Sequence, residues 1–142
     1  MSCVTFWTPQ QRARLREAMD APSVATFASP QVGESKLRRI AAMAASGDLR
    51  VRESAALNVH VPAEVLELLA GDAEMSVRCC VARSPRATPE VLRRLAADAS
   101  APVRRWTAAH PATPAGVLDA LADDPDLGVR EVVAWNRRWP AS

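Results

Sequence analysis

A step of 26 residues recurs along most of this chain and constrains its fold more than any other feature. Val51-Arg52, Val77-Arg78, Val103-Arg104 and Val129-Arg130 stand 26 apart, and an Ala follows each Val by five, at Ala56, Ala82, Ala108 and Ala134. The segment before each Val-Arg pair keeps the same step: Val65-Leu66, Val91-Leu92 and Val117-Leu118, then Leu69-Ala70, Leu95-Ala96 and Leu121-Ala122, then Asp72, Asp98 and Asp124. Four units result. The first is degenerate, with Ile40, Met43 and Ala44 at the Leu, Leu and Ala positions and Ser46 in place of Asp. Internal periods of this length mark repeat architectures, in which one unit cannot bury its own apolar face.

Each unit reads as two helices. Thr88-Pro89-Glu90 and Thr113-Pro114 supply a capping hydroxyl, a proline at its preferred first helical position and, in one case, an acid at the positive helix end. Apolar residues then fall at i, i+1, i+4 and i+5, which is helical spacing. The second helix starts near Met75, Ala101 or Leu127 and ends before Pro85 or Pro111, because proline disfavours helix in the residue before it. Its buried stripe is expected to be Val77, Cys80, Val81 and Ser84, then Val103, Trp106, Thr107 and His110, then Val129, Val132, Val133 and Asn136. The 28 alanines, with 49% apolar residues in all, suit closely packed short helices. Units this small must stack side by side, so the expectation is an all-α solenoid of about four helix pairs.

Residues 1–35 are expected to form an N-terminal cap and connector: a helix from Thr8 to about Met19, carrying Phe6, Trp7 and Leu15 toward the core, then a Pro-, Gly- and Ser/Thr-rich link. Residues 36–142 hold the repeats, starting from a helix over Ser35–Ala45, and end on a Trp-rich cap with Trp135 and Trp139. The chain has no run of about 18 apolar residues and no secretory pattern at its start, so the expectation is a bacterial, cytoplasmic protein without a membrane partner. Three cysteines, Cys3, Cys79 and Cys80, cannot make a disulfide framework. Cys80 falls on the core side of its helix as a small hydrophobe, and Cys79 on the exposed side.

The unit written out is Pro-x-x-Val-Leu-x-x-Leu-Ala-x-Asp-x-x-x-x-Val-Arg-x-x-Val-Ala-x-x-Pro, clearest at residues 62–85. It resembles the leucine-rich repeat variant family, whose members are similar to HEAT and armadillo proteins. The resemblance implies a right-handed superhelix in which the second helix of each unit is the shorter one, often 3₁₀. Some members carry an iron–sulfur cluster on an N-terminal cysteine group. This chain departs from them, having only Cys3 before Cys79 where about four thiolates are required, so no cofactor or metal is expected. The resemblance also implies a ladder between neighbouring units, built from Asp72 and Arg78, Asp98 and Arg104, and Asp124 and Arg130.

Catalytic chemistry finds little support. His60 and His110 lack the neighbours of a metal or nucleophile motif, no Gly-rich phosphate loop exists, and Asp123-Asp124 beside Pro125 reads as loop acid. His110 aligns with Asn58, Ser84 and Asn136 and reads as a helix-end hydrogen bonder. Function is therefore expected on the surface, with a non-enzymatic role binding a protein or peptide. The candidate column on the outer side of the second helices pairs Glu53 with Leu57, Cys79 with Arg83, Arg105 with Ala109 and Glu131 with Trp135. The residues expected to bind are Leu57, Arg83, Arg105, Trp135, Arg138 and Trp139. The runner-up is nucleic acid held on an arginine edge of Arg83, Arg86, Arg93, Arg94, Arg104, Arg105, Arg137 and Arg138, with Trp106 or Trp139 as a stacking surface. Twelve acidic against eleven basic residues in 51–142 weaken that alternative. A third reading is an accessory role in enzyme or cofactor maturation.

Overall fold

The computed structural model describes residues 33–139, and among them are eight helices and no strand. They are α1 (Glu34–Ala44), α2 (Leu49–Ala56), α3 (Ala63–Leu69), α4 (Met75–Arg83), α5 (Pro89–Ala96), α6 (Ala101–Ala109), α7 (Ala115–Leu121) and α8 (Leu127–Arg138). The expected capping helix, with Phe6, Trp7 and Leu15, and Cys3 lie outside the described residues.

Local chemistry accounts for the boundaries. In the last three pairs the first helix is trapped between a proline and the Asp turn that follows. Pro62 and Pro114 sit at the N-cap of α3 and α7, while Thr88 caps α5 by accepting the Val91 amide, with Pro89 just inside. Thr113 does not cap α7 as the sequence suggested. It is buried, and its hydroxyl donates 2.6 Å to the Thr107 carbonyl. The second helices open on a tight turn: Asp72, Asp98 and Asp124 accept the amides of Glu74, Ser100 and Asp126, each at 2.9 Å. In the first unit the Ser46 hydroxyl accepts the Asp48 amide in the same way, so Ser46 replaces Asp in the turn.

The first pair keeps the expected relative lengths, eleven residues in α1 and eight in α2, and the last three pairs reverse them. The second helices α4, α6 and α8 run nine, nine and twelve residues as regular α-helix, whereas α3, α5 and α7 have seven, eight and seven. The cause is the distance between breakers. The first helix has only the span from proline to Asp turn, and the second runs on until Pro85 or Pro111. Arg137 stands where those prolines would recur, and α8 continues through it.

The helices pack in two rows. The second helices contact in sequence, α2 to α4 to α6 to α8, and among the first helices α1 contacts α3 and α5 contacts α7. Between the rows lie Ile40, Leu66, Leu69, Val77, Val81, Leu95 and Val103 in one buried group and Val117, Leu118, Leu121, Val129 and Val133 in another. Ala56, Ala82 and Ala108 are wholly buried, and side chains this small let neighbouring second helices approach closely.

Candidate functional site

The recurring arginine of each pair is committed to structure. Arg52, Arg78 and Arg104 donate through Nε to Oδ2 of Asp72, Asp98 and Asp124 at 2.8, 2.7 and 2.7 Å, and through Nη2 to Oδ1 of the same carboxylates. Each Nη1 turns back to its own unit, to the carbonyls of Ser46, Asp72 and Asp98. One planar guanidinium thus clamps the turn of its own unit and the aspartate of the next, the bidentate geometry that lysine cannot supply. Arg52 belongs to the ladder although it was not among the expected members. The Val51-Arg52 pair was its signal in the sequence. Arg130, the last of the series, reaches the Asp124 carbonyl but meets no carboxylate among the described residues.

These pairs are largely withdrawn from water, and Arg104 and Asp124 retain only 13% and 5% side-chain exposure. Burial pushes the Asp72 and Asp98 carboxyls upward, but the Arg52 or Arg78 guanidinium and the Glu74 or Ser100 amide outweigh it, so both lie below the ordinary range. For Asp124 the Arg104 hydrogen bond is the largest influence and holds the carboxyl down, assisted by the Asp126 amide against the opposing effect of burial.

The helix-end column is also structural. Asn58 Oδ1, Ser84 Oγ and His110 Nδ1 accept the amide two residues on, from His60, Arg86 and Ala112. Because His110 Nδ1 accepts, its Nε2 carries the proton and donates 2.9 Å to the Ser84 carbonyl of the preceding unit. Asn136 makes a corresponding reach, donating to the Ala108 carbonyl.

The outer side of the second helices, where the candidate column lies, carries two depressions. Between α2 and α4 an open groove of about 590 Å³ is lined by Arg50, Glu53, Leu57, Met75, Cys79 and Arg83, among others. Between α4 and α6 a smaller depression of about 210 Å³ is lined by Arg83, Trp106, Ala109 and Pro111. Arg83 stands on the ridge between the two, its guanidinium carbon 4.7 Å from the centre of the Trp106 ring. Trp106 does not pack in the core as its helical register suggested, and is 45% exposed. Its counterpart in α4 is the buried Cys80, and an indole cannot enter a space that a thiol fills, so the ring turns outward beneath the arginine. Cys79 is half-buried rather than exposed, and burial raises both thiols above their ordinary range, the condition of unreactive cysteines.

The structure therefore joins two of the expected binding residues, Leu57 and Arg83, in one groove. It does not gather the others there. The Arg105 guanidinium donates 3.1 Å to Asp126 Oδ1 and lies over Gly128, where any Cβ would displace it. Trp135 and Trp139 leave 57% and 65% of their surface to solvent, so they cover little of the core at the end of α8, and Arg138 is exposed beside them. Met75 was missed as groove lining, and Trp106 was expected only as a core residue or a stacking surface for nucleic acid. The size contrast among Ser54, Cys80, Trp106 and Val132, which share one register position, was the available signal.

The proposed arginine edge is largely occupied. Arg93 pairs with Glu90, Arg104 with Asp124, Arg105 with Asp126 and Arg137 with Asp119, while Arg94 donates to the Glu67 carbonyl and Arg83 covers Trp106. No group of three or more His, Cys, Asp or Glu that could hold a metal ion occurs among the described residues. No helix among them is long and apolar enough to cross a membrane.

Short paired helices, each clamped to the next by a recurring buried ion pair, define an all-helical repeat protein. The family model for the leucine rich repeat variant matches residues 102–126, the stretch that runs through α6 and α7 and contains both Arg104 and Asp124. No curated protein and no solved structure matches the chain.

Proposed function

We propose that this chain is a non-enzymatic binding scaffold: a right-handed α-solenoid stepping every 26 residues, whose concave face is formed by α2, α4, α6 and α8 and receives a protein or peptide segment. The pairing of Arg52, Arg78 and Arg104 with the next unit's aspartate supports the stacking. The observation that carries the binding role is the groove between α2 and α4. It offers apolar surface from Leu57, 40% exposed, and Met75, beside two guanidiniums, Arg50 and Arg83, that have no carboxylate partner among the described residues. Arg83 is pre-positioned on Trp106, which lowers the entropy it loses on engaging a ligand. The fitting segment presents one apolar side chain between Leu57 and Met75 and a carboxylate to Arg83.

Selection of a displayed peptide library against the protein tests this reading. Enrichment of acidic, apolar sequences is expected, with binding lost in both Leu57→Asp and Arg83→Glu. If those variants bind the selected peptides as well as the parent, the groove is not the site. Retention of single-stranded DNA at about 50 mM salt that disappears by about 200 mM would instead favour a nucleic-acid role. The tethering of five of the eight arginines on that edge argues against it.

A further inference from the structure

The exposed apolar surface of the described residues is unevenly placed. Of the large side chains only Leu68 stands on a first helix, whereas the others, Leu57, Met75 and Trp106 among them, lie on the second helices or in the turns that follow them. Two depressions of this face share a wall. Arg83 lines both the groove between α2 and α4 and the smaller hollow between α4 and α6, so the two stand one helix apart. Neighbouring packed helices lie about 8–10 Å from axis to axis.

The two depressions ask for different groups. In the hollow, the side chains of Ala82, Ala109 and Pro111 offer no hydrogen bond, and both His110 nitrogens are already engaged, Nδ1 by the Ala112 amide and Nε2 by the Ser84 carbonyl. Its aromatic wall is Trp106, which no other unit repeats, since Ser54, Cys80 and Val132 hold that register position. In the groove, Leu57 and Met75 supply apolar surface, and Arg50 and Arg83 outnumber Glu53, the one acid of its lining. Spacing then selects the conformation of a chain that fills both. A polyproline II segment turns every third residue to the same side, about 9 Å apart. A strand presents same-side residues about 7 or 13 Å apart, and neither spans one helix step. Proline suits the hollow, because its nitrogen carries no proton to satisfy and its ring packs on aromatic walls.

Building on the peptide-binding role proposed above, we infer that the occupant of this face is a polyproline II segment in which two acids separate an apolar residue from a proline. The apolar residue enters between Leu57 and Met75, and the proline lies against Trp106 and Pro111. The intervening acids, each turned about 120° from its neighbour, flank the Arg83 ridge.

Fluorescence anisotropy of the full chain with two labelled peptides, one containing Leu-Asp-Asp-Pro and one Pro-Asp-Asp-Leu, tests this. At least one order is expected to bind with a Kd below about 1 mM. Replacing the peptide's proline by alanine, or inserting one glycine before it, should weaken binding about fivefold or more. Trp106→Ala should weaken the parent peptide to a similar degree yet leave the alanine-substituted peptide unaffected, and Trp106→Phe should retain most of the binding. Trp106 is 45% exposed, so helical circular dichroism should be unchanged in both variants. Binding that requires Leu57 and Arg83 but ignores the proline, the spacing and Trp106 overturns this inference and leaves the groove standing as a peptide site. An optimum at seven residues between the anchors, the same-face repeat of a helical ligand at about 10.5 Å, overturns it as well. So does the failure of both orders to bind at about 1 mM, and the library selection then decides separately whether the groove takes other peptides.

Discussion

Arg104 shows how much a single side chain can hold in this fold. Its guanidinium makes two bonds to Asp124 and one to the Asp98 carbonyl, so removing it strands a buried carboxylate and an unsatisfied turn. Arg104→Ala is expected to cost about 3–5 kcal/mol, read by urea denaturation. Replacing both Arg104 and Asp124 by leucine should cost clearly less than Arg104→Ala alone, since no charge is left unpaired. An unchanged midpoint in Arg104→Ala would mean that the pair is solvated. His110 allows a second reading of buried polarity. In His110→Leu the Ser84 carbonyl keeps only the Ala87 amide and the exposed Ala112 amide turns to water, a loss of about 1 kcal/mol, whereas His110→Asn can still accept the amide as Asn58 does and should lie nearer the parent in a thermal melt. The recurring Asp and Arg were visible in the spacing, but not which of them clamp: Arg52, outside the expected ladder, pairs with Asp72, and Arg130, inside it, meets no carboxylate among the described residues. That Arg104 joins Asp124 of the next unit, and not Asp98 of its own by side chain, depends on how the units are set against each other.

At the scale of the element, the second helices of the last three pairs are longer than the first because the breakers that bound them are further apart. Their ends were readable from Pro85 and Pro111, but their relative length was masked by a family likeness in which the second helix is short. Gly128, near the start of α8, offers a test of how firmly neighbouring helices are locked. A methyl group there would collide only with the far end of the flexible Arg105 side chain. Gly128→Ala is therefore expected to leave the melting temperature unchanged or raised, through better helix propensity, while freeing Arg105 from Asp126. A loss above about 1 kcal/mol would show that the guanidinium is pinned and that α6 and α8 tolerate no adjustment. Trp106 gives the complementary lesson. Helical periodicity assigned it to the core, and side-chain volume expelled it.

For the whole molecule, the three ladder carboxyls make stability depend on pH in one direction. Asp72, Asp98 and Asp124 all lie below their ordinary value in the folded chain. Their contribution is complete above the unfolded value, about 3.9, and is lost as pH falls through the lower folded values. Denaturation midpoints should thus be flat with respect to these groups near neutrality and fall steeply below about pH 4. In an Asp98→Asn variant the acid limb should be shallower, since one fewer proton is taken up on unfolding. An acid limb of equal slope in the variant would exclude the ladder as its source.

The letters by themselves determined the paired helices and their apolar stripe, because both are fixed by contacts within a few residues of the chain. Only the tertiary structure decided that Arg83 sits over Trp106, that Arg105 is spent on Asp126, and that Leu57 and Met75 share a groove. Those outcomes depend on the volume and charge a side chain meets on the adjacent helix, and a residue's neighbours about 26 positions away are set by how the helices pack, not by the order of its own letters.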